Sequence, residues 1–151
     1  MTEVKRRPRQ AQGKLSPVAL RIRRVEGAPV VAVRLWVQSG ARCEAIPGQA
    51  FLTGRMLNEG SMRRHWRQIA EDAESRGMML SSYGTFEGHS VTVDALAHDW
   101  ELALDWAAEL LLTPSFPADR CTWLAKQAAA ELESLADQPD VKTAWGFMEQ
   151  L

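Results

Sequence analysis

Alternating apolar and polar side chains predict strands in two parts of the chain. Residues 18–23 and 31–38 both alternate, and "EGAP" (26–29) between them supplies turn residues. This arrangement is typical of a β-hairpin. A later alternating stretch, "MMLSSYGTFEGHSVTVDALA" (78–97), contains Gly84 and Gly88 as turn or bulge residues and predicts two more strands.

Apolar residues spaced by three and four predict helices elsewhere. The predicted helices are "GQAFLTGRMLNEGS" (48–61), "HWRQIAEDAESRG" (65–77), "HDWELALDWAAELLLTPSF" (98–116), "PADRCTWLAKQAAAELESLADQPD" (117–140) and "DVKTAWGFMEQL" (140–151). The order ββ-αα-ββ-ααα predicts an α+β fold, with helices packed on one face of an antiparallel sheet. The first helix is unusual because Gly54 lies inside it, and an interior glycine costs about 1 kcal/mol relative to alanine.

The composition is that of a single globular domain. The chain has 151 residues, of which 46% are hydrophobic and 25% charged, enough to bury one core. Eight Lys or Arg and one acid occur in residues 1–24. Such a run can bind nucleic acid or a membrane surface, but a solvated leader is the commoner explanation. We therefore expect a flexible basic lead-in over 1–16, a folded domain over 17–151, and neither nucleic acid nor membrane as a partner.

Cysteine usage and hydropathy indicate the compartment. Cys43 and Cys121 are far apart and form no cluster with metal-ligand spacing. No apolar run approaches the ~20 residues of a membrane span, and no apolar segment follows the basic start as in a secretory signal. The sequence thus predicts a cytoplasmic protein. His65, His89 and His98 are mutually too far apart in sequence to suggest another zinc site.

Four sequence segments, in the order in which the family has them, resemble the insulinase/pitrilysin family of zinc peptidases. This family includes the mitochondrial processing peptidases. The segments are "VAVRLWVQSGARCE" followed by "PGQA", "SSYGTFEGHSVTVDAL", "LALDWAAELLLTPSF" and "AAAELESLADQP". The resemblance covers roughly residues 15–151. It implies the N-terminal half of a paired structure, and we expect the domain to continue beyond Leu151.

Active members of that family carry His-x-x-Glu-His on the first helix after the hairpin. Two histidines at i and i+4 share a helix face and bind one zinc ion, and the glutamate beside them takes a proton from the bound water. The corresponding positions here are Phe51, Gly54 and Arg55. Phenylalanine and glycine offer no ligand or base, and arginine stays protonated. The resemblance therefore implies a degenerate site that lacks zinc and any other cofactor.

The family's third ligand position is retained as Glu131. It lies 76 residues after Arg55 and borders an apolar stripe formed by Cys121, Leu124, Ala128, Leu132 and Leu135. A carboxylate facing a core needs a partner, so we expect an ion pair between Arg55 and Glu131. The alternative is that both side chains extend separately into solvent.

The family binds extended peptides along a sheet edge, which here corresponds to Leu80, Ser81, Ser82 and Tyr83. The resemblance therefore implies a non-catalytic peptidase homologue. Its role would be to bind substrate or to act as a scaffold in a two-chain metalloprotease. Its partner would be an active zinc-peptidase subunit or a second homologous domain. Two alternatives stay open: an active metallopeptidase with unrecognised zinc ligands, and a peptide-binding module that works alone.

Overall fold

The structure, a computed structural model, describes residues 19–148, except for the side chains of 144–146 and 148. The expected lead-in over 1–16 lies outside the described residues. Within them the elements follow the order β-αα-ββ-ααα. They are β1 (Val30–Val37), α1 (Gln49–Met56), α2 (Trp66–Ser75), β2 (Met79–Gly84), β3 (His89–Leu96), α3 (Trp100–Leu112), α4 (Ala118–Ala136) and α5 (Pro139–Met148).

The three strands form one antiparallel sheet in the order β1-β3-β2. β3 is central: Val33 and Leu80 both lie opposite Val93. Because β2 and β3 are joined by the short segment 85–88, they form the hairpin that the second alternating stretch predicts. The first predicted hairpin is wrong. Leu20 and Ile22 are 78% and 82% exposed and belong to no strand. The strand β1 pairs with β3, far along the sequence, and within residues 19–148 no strand pairs with its other edge.

The core lies between one face of the sheet and the helices. Val91 and Val93 of β3 pack with Ala103, Trp106 and Leu110 of α3. Ile69 and Ala73 of α2 belong to the same cluster, as expected from the three- and four-residue spacing of α2. The predicted α+β architecture, with helices packed on one face of an antiparallel sheet, is thus confirmed.

Helix α4 is longer and less buried than the other helices with described side chains. Its only fully buried residue is Leu124. Leu132 and Leu135 are 57% and 40% exposed, so the predicted apolar stripe packs against the domain only in its first part. No helix in the part of the chain that the structure describes has the length and apolar character needed to cross a bilayer.

A buried polar cluster joins the loop before α2 to α3. The Ser61 hydroxyl donates to Glu109, which is 6% exposed, and Arg64 Nη1 lies 3.4 Å from the other carboxylate oxygen. The guanidinium of Arg64 also covers the Trp106 ring, 4.9 Å from its centroid. A buried carboxylate of this kind is stable only while its partners stay in place.

Removing the buried carboxylate is expected to destabilise the fold. Glu109→Ala should lower the free energy of unfolding by about 3 kcal/mol, because Ser61 loses its hydrogen-bond acceptor, Arg64 loses its ion-pair partner and a cavity forms. Urea denaturation followed by circular dichroism measures this change. Glu101→Ala, at an exposed position of the same helix, is the control and should change stability by less than about 0.5 kcal/mol. Equal effects of the two substitutions would contradict the structural role of the cluster.

Candidate functional site: a degenerate metal centre

Helix α1 begins after a tight loop that fixes its orientation. Gly48 precedes the helix with φ +85°, a conformation that glycine adopts without strain. The carboxylate of Glu44 accepts from the backbone N–H groups of Gly48 and Ala50, at 3.1 and 2.9 Å. These bonds satisfy donors that would otherwise be unpaired at the helix start. The loop therefore sets which face of α1 points to the sheet and which to α4.

Gly54 faces the sheet and touches the backbone of β2. A Cβ atom placed on Gly54 would lie 1.9 Å from the backbone nitrogen of Gly84. A Cβ atom on Gly84 would lie 2.1 Å from the carbonyl oxygen of Ala50. Ser82 Oγ bridges the same gap and donates to the carbonyl oxygen of Gly54 at 2.7 Å. Gly54 is therefore present because helix and strand meet at backbone contact, which leaves no room for a glutamate.

Arg55 and Glu131 are brought together across α1 and α4. Arg55 Nη1 lies 2.8 Å from Glu131 Oε2, and Arg55 Nη2 lies 3.3 Å from Glu131 Oε1. Gln127 Oε1 accepts from Arg55 Nη2 at 3.4 Å. The guanidinium also lies 5.5 Å from the centroid of the Phe51 ring. Phe51, Arg55 and Glu131 therefore lie together. They are three of the four positions that correspond to the family's zinc-binding and catalytic residues; the fourth is Gly54.

The solvent exposure of this pair limits its contribution to stability. The side chains of Arg55 and Glu131 are 28% and 47% exposed. Glu131 thus does not face a core in the way that its position beside the apolar stripe suggests. A two-pronged arginine–carboxylate pair is stronger than a single contact, but an exposed pair stabilises a fold by about 1 kcal/mol or less. Its main consequence is electrostatic, because a fixed positive charge now neutralises Glu131.

These residues do not fit a zinc ion. Glu131 alone offers a ligand atom, since the Phe51 ring has no lone pair and the guanidinium of Arg55 cannot be deprotonated. Elsewhere in residues 19–148, no group of three or more His, Cys, Asp or Glu side chains is placed to hold a metal ion. His89 is buried, and its Nε2 lies 3.0 Å from the carbonyl oxygen of Ala50. His65 caps α2, and His98 lies on the surface beside Asp99.

The edge strand β2 lies next to this degenerate centre. It pairs with β3 on one side and, among the described residues, with no strand on the other. Ser81 and Tyr83 are exposed, whereas Leu80 and Ser82 are half-buried toward the helices. The Ser82 hydroxyl is already used by Gly54. The four residues expected to bind peptide, Leu80 to Tyr83, therefore lie on a strand with one unpaired edge among the described residues. The Ser82 hydroxyl is not free to bind a peptide.

Comparison with known proteins identifies the family. The model of the insulinase family, peptidase family M16, matches residues 21–144. The chain belongs to this family. A solved structure with similar fold is the peptidase M16 inactive domain from Pseudomonas fluorescens, with a TM-score of 0.74 and 27% sequence identity. The alignment covers 83% of this chain and 31% of that one. No curated protein sequence matches significantly.

The M16 comparison confirms the family resemblance on which the sequence-based expectations depend. The related structure is itself described as an inactive domain. The present chain spans less than a third of that chain's length. The sequence does not single out Gln127 or Arg120, and it indicates Gly84 only as a turn or bulge residue. The 30-residue separation of Gly54 and Gly84 gives no local signal of their contact, since each reads only as a helix or strand interruption.

Proposed function

We propose that this M16 domain is a non-catalytic peptidase homologue, which binds extended peptides or acts as a scaffold within a two-chain metalloprotease. The observation that carries the proposal is the position of Arg55. Its guanidinium occupies the point where the motif positions 51, 55 and 131 converge, 2.8 Å from Glu131. A permanent cation there excludes a zinc ion by charge repulsion and by volume, while it keeps the retained carboxylate neutralised.

The loss of catalysis leaves the surface for peptide binding in place. Hydrolysis in this family needs a base beside the metal, and Gly54 has no side chain. Strand addition needs only unpaired backbone N–H and C=O groups on an edge strand, and β2 has a free edge among the described residues. Ser81 and Tyr83 project from the exposed face of the sheet and Leu80 and Ser82 from the face toward the helices, so none of these side chains points along the hydrogen-bonding direction of the edge. The proposed partner is an active zinc-peptidase subunit, which would supply the metal and the base.

Alternating N-methylation of a peptide tests strand addition. In an extended strand, both polar backbone groups of every second residue point toward the same neighbour. We expect a nine-residue peptide to lose binding, by about tenfold or more, when the amides that face β2 are methylated. Methylation of the other, alternate set should leave its affinity within about twofold. Fluorescence anisotropy of labelled peptides measures both series.

A cleavage assay on the same samples separates binding from catalysis. The proposal expects peptides to be bound and recovered intact by mass spectrometry. Equal losses of affinity in both methylation series would contradict strand addition. Cleavage that requires zinc and disappears in Glu131→Gln would contradict the non-catalytic assignment and favour an active peptidase with unrecognised ligands. If the domain binds peptides alone but no active M16 subunit in size-exclusion chromatography, it is a stand-alone module.

A further inference from the structure

A cleft of about 270 Å³ opens beside the edge strand, between the segment that follows α1, helix α2, the start of α4 and β2. Ile69 and Ala73 are almost fully buried at its floor, and Leu80 contributes an apolar wall from β2. For scale, an apolar cavity of about 150 Å³ already accepts a benzene ring. The cleft is therefore large enough for one bulky aliphatic side chain. We name it the side cleft; Asn58, Glu59, Trp66, Ala70, Glu74 and Arg120 complete its lining.

Arg120 forms a rigid rim on the side cleft. Its Nε donates to the carboxylate of Glu59, and this hydrogen bond raises the pKa of Arg120. The guanidinium contacts two indoles and lies 5.0 Å from the Trp66 ring centroid and 4.3 Å from that of Trp123. Its Nη groups have no hydrogen-bond partner in the part of the chain that the structure describes. A fixed guanidinium with free N–H groups is suited to bind a backbone carbonyl.

Leu80 connects the side cleft to the edge of the sheet. It belongs to β2, and its side chain lies on the sheet face that packs against the helices. In paired antiparallel strands, directly opposite residues place their Cβ atoms about 4.5–5.5 Å apart on the same face. A residue of an added strand that lies opposite Leu80 would therefore direct its side chain toward the side cleft.

We propose that the side cleft selects one aliphatic side chain, of the size of leucine or methionine, from an extended peptide that pairs with β2. This inference rests on the proposed peptide-binding function. The floor formed by Ile69, Ala73 and Leu80 favours apolar groups over polar ones because their burial removes apolar surface from water. Glu74, at the lining of the cleft, disfavours an acidic side chain. Arg120 donates to a carbonyl oxygen of the same peptide.

Single-residue changes in a peptide test this selection. A threonine-rich nonapeptide carries leucine, alanine or aspartate at its centre, and its affinity for the full chain is measured by fluorescence anisotropy. Leucine should bind about tenfold more tightly than alanine, and aspartate should bind no better than alanine. Ala70→Leu, at an exposed position that lines the cleft, should fill the cleft and reduce the leucine preference to less than about twofold. Gln68→Leu, exposed on the same helix outside the lining, should preserve it.

The results of these binding experiments distinguish a failure of the proposed peptide-binding function from a failure of the side-cleft inference. If peptides bind and lose affinity on N-methylation, but leucine and alanine bind equally well, the side-cleft inference is overturned and strand addition survives. Retention of the full leucine preference in Ala70→Leu also overturns the inference. If no peptide binds at all, the peptide-binding part of the proposed function fails and the side-cleft inference fails with it. Thermal denaturation of both variants verifies that each is folded under the assay conditions.

Discussion

Gly54→Ala is expected to lower the free energy of unfolding by about 3 kcal/mol or more. Helix propensity alone predicts the opposite sign, a gain of about 1 kcal/mol from replacing an interior glycine. The contact with β2 decides the outcome, because the new Cβ atom would lie 1.9 Å from the backbone nitrogen of Gly84. That neighbour is backbone and cannot rotate away as a side chain can. Gly54→Glu should be more damaging still, since it adds a charged group to the same gap.

Urea denaturation of the Gly54 variants measures this loss. Thr53→Ala, the adjacent position in α1, is the matched control and tests whether any alanine in this helix changes stability. We expect the control to change the free energy of unfolding by less than about 1 kcal/mol. A Gly54→Ala protein as stable as the unmodified chain would mean that α1 and β2 do not meet at backbone contact. The absence of a base would then be the only consequence of a glycine at position 54.

Phe51→His combined with Arg55→His is expected to create a zinc site. The two positions are one helical turn apart. Arg55 lies 2.8 Å from the carboxylate of Glu131, and the Phe51 ring lies beside the same guanidinium. Two imidazoles and one carboxylate are a usual ligand set for zinc. At a free zinc concentration of 100 times Kd, binding should stabilise the double variant by about 2.7 kcal/mol. Peptide hydrolysis should stay absent, because Gly54 still provides no base.

Thermal denaturation of the double variant with and without zinc measures how much zinc binding stabilises it. Adding Glu131→Gln to the double variant is the control, and it should weaken zinc binding by about tenfold or more. The neighbouring carboxylate Glu133 gives a second comparison, since Glu133→Gln removes the same charge from an exposed position of α4. If Glu131→Gln and Glu133→Gln have equal effects, position 131 does not point to the metal position and the proposed correspondence with the family's motif is wrong.

Local patterns predict most of the fold. The strands β2 and β3 follow from alternation around Gly84 and Gly88, and the helices follow from apolar spacing that ends at glycine or proline. The strand predicted at 18–23 shows the limit of such patterns, because the structure has no strand in the described part of this stretch. Leu20 and Ile22 alternate correctly but are almost fully exposed. Alternation describes a strand's faces and does not provide the neighbour whose backbone must pair with it.

The candidate site depends more strongly on distant contacts. The meeting of Arg55 with Glu131 is expected from the family resemblance, because the resemblance supplies the correspondence between residues 76 positions apart. The contact of Gly54 with Gly84 depends on how closely α1 packs on β2, and no spacing along the chain encodes that distance. The sequence also does not predict the side cleft, since three elements and the segment after α1, which are distant along the chain, form its lining.

The central claim is that the unmodified chain cannot hold a metal where the family's zinc ligands would lie. Equilibrium dialysis against zinc, followed by elemental analysis of the protein, tests it most directly. We expect the unmodified chain to retain no more zinc than its Glu131→Gln variant, and Phe51→His/Arg55→His to retain about one ion per chain. One tightly held zinc ion in the unmodified chain, lost on Glu131→Gln, would contradict the account.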